Sequence, residues 1–186
     1  MISQTGYWTQ EEANFGHAYS NTLCDYMSNI FSKNEQLIDF GCGLGTYLSN
    51  LHNKGFTKLL GVEGYGLNNF EYDNIVIQDL AVDFDLNVRG NVMSLEVGEH
   101  IPKQYENVFI DNITKHCSNL LIISWAVPGQ GGLGHFNEQP NEYIIGSIVK
   151  RGFQYMAEQT ELLRQYPDDF CCPYFRKTLM IFKRSV

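Results

Sequence analysis

The sequence has no apolar run near the roughly 18–20 residues that a membrane-spanning helix needs, so no such span is expected. Its opening residues, MISQTGYWTQEE, lack the basic-then-apolar order of an export signal, which points to a cytoplasmic chain. Basic residues are scarce: 13 Lys and Arg stand against 21 Asp and Glu, a net charge of -8. Without a basic run there is no extended nucleic-acid surface, although a local basic patch is compatible with these counts. The five cysteines include no CxxC pair, and Cys171 and Cys172 are adjacent, so neither a disulfide framework nor a thiolate zinc cluster is indicated. Internal repeats and low-complexity tracts are missing too. What remains is ordinary globular composition, 44% hydrophobic over 186 residues, long enough for one domain with a sizeable core.

Residues 36–50, QLIDFGCGLGTYLSN, organise the rest. Leu37, Ile38 and Phe40 read as a short buried strand that carries Asp39 and runs into Gly41, Gly43 and Gly45, spaced GxGxG. A helical pattern (Tyr47, Leu48, Leu51) follows at once. Strand, glycine turn and helix let a backbone approach a nucleotide-like ligand, because glycine removes the obstructing side chain. A nicotinamide dinucleotide is disfavoured, since its fingerprint puts a glycine where Thr46 stands. Asp39 at the helix mouth would also repel a pyrophosphate, yet it suits a cation. S-adenosylmethionine, with a sulfonium, an ammonium and no phosphate, is such a ligand. The second glycine-rich stretch, PGQGGLGHFNEQP, also fails as a phosphate loop: His135 and Phe136 stand where Lys and Ser/Thr are required. A glycine-hinged loop at the mouth of a site is the better account.

Further strands are expected over 58–64, 74–80, 90–97, 120–127, 153–163 and 178–182, with helices over 19–31, from Pro102, and over 142–150. An aromatic, cysteine-bearing loop is expected over 165–177. The segment GYWTQEEANFGH, bearing His17, is either an arm packed by Tyr7 and Trp8 or a lid over a ligand. Glu63 closes the second strand about twenty residues past the glycine turn, where dinucleotide folds hold a ribose; the alternative is a surface carboxylate. Glu96, Glu99 and His100 stand at i, i+3 and i+4, and would share one face of a helical turn beside the glycines. His135, in the loop after the fifth strand, opens on the same sheet edge. Two carboxylates and two imidazoles make an oxygen–nitrogen site suited to magnesium or manganese. The alternatives are a metal-free base, His100 or His135, and carboxylates that merely offset a helix dipole.

Asp39-x-Gly41-x-Gly43-x-Gly45 resembles the first motif of the class I S-adenosylmethionine-dependent methyltransferases, and Glu-x-x-Glu-His with a later histidine resembles the metal-assisted O-methyltransferases. The resemblance implies an α/β, three-layer Rossmann-like fold with a seven-stranded, mostly parallel sheet of order 3-2-1-4-5-7-6, strand 7 antiparallel. It implies a single domain, 1–186, with an N-terminal helical lid (1–35) and a catalytic core (36–186). Asp39, Gly41, Gly43, Gly45 and Glu96 would contact S-adenosylmethionine, Glu63 would hold its ribose, and Asp79 and Leu80 its adenine. Tyr166, Tyr174 and Arg176 would wall the acceptor pocket.

The implied reaction is O-methylation of a diol-bearing small molecule, a sugar or glycan terminus first. A divalent ion on Glu96, Glu99, His100 and His135 would lower the hydroxyl pKa, and a metal-free histidine such as His17 would take the proton. Competing readings are 2′-O-methylation of an RNA ribose, a non-catalytic S-adenosylmethionine-binding subunit, and a nicotinamide oxidoreductase.

Overall fold

The computed structural model describes residues 2–17, 19–165 and 172–185. Its seven strands are β1 (Leu37–Phe40), β2 (Leu59–Glu63), β3 (Ile75–Ile77), β4 (Gly90–Ser94), β5 (Cys117–Ile123), β6 (Phe153–Tyr155) and β7 (Met180–Arg184). They form one sheet of order β3-β2-β1-β4-β5-β7-β6. Only β7 runs antiparallel to its neighbours. This is the expected topology. β1 and β4 are buried along their whole length, because both faces of the sheet are covered by helices.

Strand alternation divides β1 between two cores. Leu37 joins a cluster with Leu23 and Met27 of α2 (Asn21–Ile30) and Leu48 and Leu51 of α3 (Thr46–Asn53). Ile38 points the other way, to Phe109 and Ile113 of α4 (Glu106–His116) and Ile144 and Ile148 of α5 (Asn141–Val149). Each such fully buried side chain contributes about 1.5–3 kcal/mol. At the start of α2 the Ser20 hydroxyl accepts the Leu23 N–H at 3.1 Å, which stops the helix one turn short of the aromatic arm. No helix among the described residues is long and apolar enough to cross a membrane.

One element is new and three expectations are corrected. The arm before residue 19 contains a short helix, α1 (Gln10–Gly16). Pro102 does not open α4; it precedes a 3-10 turn, Lys103–Tyr105, and α4 begins at Glu106. The strand expected over 153–163 ends at Tyr155, and the chain turns into α6 (Ala157–Gln165). Its Ala, Glu, Gln, Leu and Arg residues are strong helix formers, and Thr160 and Leu163, one turn apart, reach the core. Lastly, the expected loop over 165–177 contains the start of α7 (Phe175–Thr178), while Tyr166, Phe170 and Cys171 lie outside the described residues.

Candidate active site

The carboxyl ends of β1, β2 and β4, closed by the loop after β5, surround a cavity of about 450 Å³. It lies where strand order reverses between β1 and β4, the place at which open α/β sheets bind ligands. Asp39, Glu63, Asp79 and Leu80 line one end, and Glu96, His100 and His135 line the other.

The glycine turn owes its residues to its own neighbours as much as to any ligand. Gly41, Gly43 and Gly45 all have positive φ, of 75°, 55° and 83°. A Cβ on Gly41 would lie 2.4 Å from Val97, and one on Gly43 would lie 2.3 Å from the His17 ring. Glu63 holds the turn in place: its Oε2 accepts the Gly43 N–H and its Oε1 the Gly64 N–H, both at 2.8 Å. Asp39 is buried beside it, and burial and then the Glu63 charge push the Asp39 pKa well up. Asp79 accepts from the Thr5 hydroxyl at 2.7 Å and from the Ala81 N–H at 2.9 Å.

Thr5 belongs to an N-terminal strap laid over the cavity. Its ends meet in an isolated bridge between Ile2 and Trp8, and the Ser3 N–H donates to Tyr7 O at 3.0 Å. Gly6 packs on the His100 carbonyl, which a Cβ would approach to 2.0 Å, and Tyr7 covers Gly64. The Trp8 ring touches both His17 and His100, with centroids 5.6 and 4.9 Å away. Its Nε1–H is buried and has no acceptor. His17 stands at the exposed rim, where desolvation by the surrounding protein lowers its pKa.

At the other end Glu99, His100 and His135 each offer a ligand atom within 4.8 Å of the others. The Gly134 carbonyl, 3.1 Å from His100 Nδ1, can only accept, so Nδ1 carries the proton and Nε2 keeps its lone pair. Glu138 does the same for His135, with Oε1 3.1 Å from Nδ1. His135 Nε2 lies 3.9 Å from Glu99 Oε1. Glu99 is 0% exposed, and neither of its oxygens has a hydrogen-bond donor. Burial and then the Glu96 charge push its pKa well up; the N–H groups of Glu99 itself and Ala126 temper the rise without reaching hydrogen-bond geometry. Burial and then the His135 charge lower His100 to about 4, so it is neutral at physiological pH.

Glu96 does not join this cluster. The expected helical turn does not form there: Glu96 has φ 52°, and only Gly98–His100 is helical, as a single 3-10 turn. Gly98 lets that turn press on Trp125, whose ring a Cβ would approach to 2.1 Å. The Glu96 carboxylate accepts from Gln130 Nε2 at 2.6 Å and faces the cavity, with its Oε1 unpartnered.

No protein-family model and no curated protein sequence matches this chain. Solved structures do. A sugar N-methyltransferase from Streptoalloteichus sp. matches at 14% identity and TM-score 0.71, over 100% of this chain and 96% of that one. The S-adenosylmethionine-bound amino pentose methyltransferase of Micromonospora echinaspora, involved in calicheamicin biosynthesis, matches at 15% and TM-score 0.67, over 96% and 98%. This chain has the class I methyltransferase fold. A [4+2]-cyclase also matches, at 14% identity and TM-score 0.63 over 100% of this chain and 88% of its own. The methyltransferase fold therefore carries more than one chemistry, and activity has to be argued from the site.

The residues present at the methyltransferase-fold cavity fit both implied groups. Two buried carboxylates, Asp39 and Glu63, face a cavity that no Lys or Arg among the described residues lines, which suits a sulfonium and an ammonium. Glu99, with two orphaned oxygens between two free imidazole lone pairs, suits a divalent cation. Sequence reasoning missed Thr5, Gln130, Gly132 and Glu138. Only Glu138 left a trace, as a carboxylate three residues after His135.

Proposed function

We propose that this protein is an S-adenosylmethionine-dependent O-methyltransferase. Its acceptor is a hydroxyl of a diol-bearing small molecule, a sugar or glycan terminus first, presented by magnesium or manganese. The observation that supports this most is the Glu99 carboxylate, fully buried and without a donor beside two imidazoles with free Nε2 atoms. An uncompensated buried carboxylate costs several kcal/mol, which a cation would offset.

When bound, the sulfonium supplies an electrophilic methyl and the divalent ion lowers the pKa of the hydroxyl it holds. The chain supplies position, and holding reactants in line removes a large entropic barrier. Asp39 meets the ammonium, Glu63 the ribose, and Asp79 and Leu80 the adenine, while the glycine turn admits the methionine arm. Glu99, His100 and His135 hold the ion, with Gly134 and Glu138 fixing the two rings. The segment 1–35 acts as the lid of the core 36–186, its Tyr7 and Trp8 keeping water from the cavity.

The lack of Lys and Arg along the described cavity disfavours an acceptor bearing phosphate, and with it the RNA ribose reading. The likeness to a sugar N-methyltransferase favours a second reading, methylation of a sugar amine. An amine is a nucleophile without a metal, so the two readings part on chelation. The test is methyl transfer to diol-bearing and amine-bearing sugars with and without a chelator, repeated with Glu99→Gln. Loss of more than about 100-fold in both arms is expected for the metal-assisted reading. Turnover that survives both treatments would falsify it.

A further inference from the structure

We propose that His17 binds the carboxylate on the amino-acid arm of S-adenosylmethionine, rather than taking a proton from the acceptor. The inference rests on the cofactor reading above. S-adenosylmethionine and its demethylated product carry one anionic group, the α-carboxylate. The cavity has no Lys or Arg among its described lining residues, so His17, His100 and His135 are the described lining side chains that can bring positive charge to it. His100 and His135 are committed: both belong to the cluster with Glu99, and their Nδ1 atoms are held by Gly134 and Glu138.

His17 is left, and it stands in the right place. Its ring lies against the glycine turn: a Cβ on Gly43 would fall 2.3 Å from Cε1 and 2.4 Å from Nδ1. It makes no hydrogen bond to any described residue, so both ring nitrogens are available. The Trp8 indole, 5.6 Å away between centroids, packs against the ring and restrains it. The ammonium and carboxylate of an α-amino acid share one carbon, so the group that meets the carboxylate must sit beside the group that meets the ammonium. Asp39 precedes the turn and His17 covers it, which meets that requirement with a ring N–H on one side and a carboxyl on the other.

The experiment is calorimetric titration of the full chain with three ligands: S-adenosylhomocysteine, its decarboxylated analogue, and 5′-methylthioadenosine, which lacks the amino-acid arm. The wild type is expected to prefer S-adenosylhomocysteine over the decarboxylated analogue by about 10- to 100-fold. His17→Ala should bind those two equally and leave 5′-methylthioadenosine unchanged. His17→Phe keeps the ring packing on Gly43 and Trp8 without any donor, and should lose the preference equally, so a folding defect of the alanine variant does not decide the matter. A wild type that binds both arms equally, or a variant that keeps the preference, overturns the assignment; the second outcome gives the carboxylate to the backbone at the start of α3. If the wild type binds none of the three ligands, the cofactor reading itself falls and takes the inference with it.

Discussion

His135 reaches the cluster because Gly132 has no side chain. A Cβ at Gly132 would stand 2.3 Å from Nε2, the atom left free for a ligand once Glu138 has taken Nδ1. The obstructed atom is the tip of a flexible side chain, so Gly132→Ala should move the ring, with some added backbone strain because Gly132 has φ 157°. The expected result is a folded protein with a modestly lowered melting temperature and manganese affinity reduced by about 10-fold or more, read by calorimetry. Unchanged affinity would mean that the ring keeps its seat by other means. Residue type and order made His135 legible in the sequence, but its supports were not. The Glu138 carboxylate also accepts the Gly129 and Gly131 N–H groups, at 2.7 and 2.6 Å, and that arrangement exists only once the loop has curled. Glu96 shows the opposite case: its spacing pointed to a shared helical face, and its positive φ breaks the helical turn that the spacing assumes.

Among the elements, periodicity served the central strands well and the edge poorly. β1, β2, β4 and β5 are apolar through most of their length because both faces are covered, and an apolar run is visible without knowing what covers it. The sequence pattern predicts strand through α6 because the alternation of β6 runs on, past Met156, towards that helix. Its hold on the sheet is specific: buried Thr160 Oγ1 accepts the Ile181 N–H at 3.0 Å, and Met156 N–H donates to Ile181 O at 2.9 Å. Thr160→Val keeps the shape and removes the acceptor. It should destabilise the chain by about 1–3 kcal/mol, measured by denaturant unfolding, since it strands a buried N–H. A loss under about 0.5 kcal/mol would show that the Ile181 N–H finds another partner.

For the molecule as a whole, four carboxyl groups gather around a cavity with no Lys or Arg among its described lining residues. Burial pushes Asp39, Glu63, Glu96 and Glu99 above the ordinary carboxylate range, Asp39 further through Glu63 and Glu99 further through Glu96. A carboxyl so raised keeps its proton in the folded state where the unfolded chain has lost it. Stability therefore rises as pH falls through the folded pKa and is lost as pH rises. His100, at about 4 against an ordinary 6.5, acts in the opposite sense, costing stability as pH falls between those two values. Above 6.5 the carboxyls act without that opposition. The melting temperature of the ligand-free protein is expected to climb as pH is lowered from about 8.5 to about 6.5, and saturating manganese should flatten the climb. Scanning fluorimetry over that range checks both; a flat ligand-free profile would contradict the burial of these charges without a cation.

The amino-acid order alone determined most of the strands and the glycine turn, since hydrophobic pattern and glycine placement are local properties that survive without knowledge of contacts; the order of the strands in the sheet came from the resemblance to the class I methyltransferases. The amino-acid order also determined which residue types gather at the carboxyl edge, because in an open parallel sheet every such strand end faces the same way. Tertiary structure decided which of them meet. Three of the four expected ligands offer atoms to one point while the fourth, Glu96, stays beside Glu99 but outside that group, and the arm carrying Thr5, Trp8 and His17 folds across the cavity to reach Asp79 and His100. Those outcomes depend on left-handed backbone positions and on contacts between residues far apart in the chain, such as Trp8 and His100, and no local pattern encodes either.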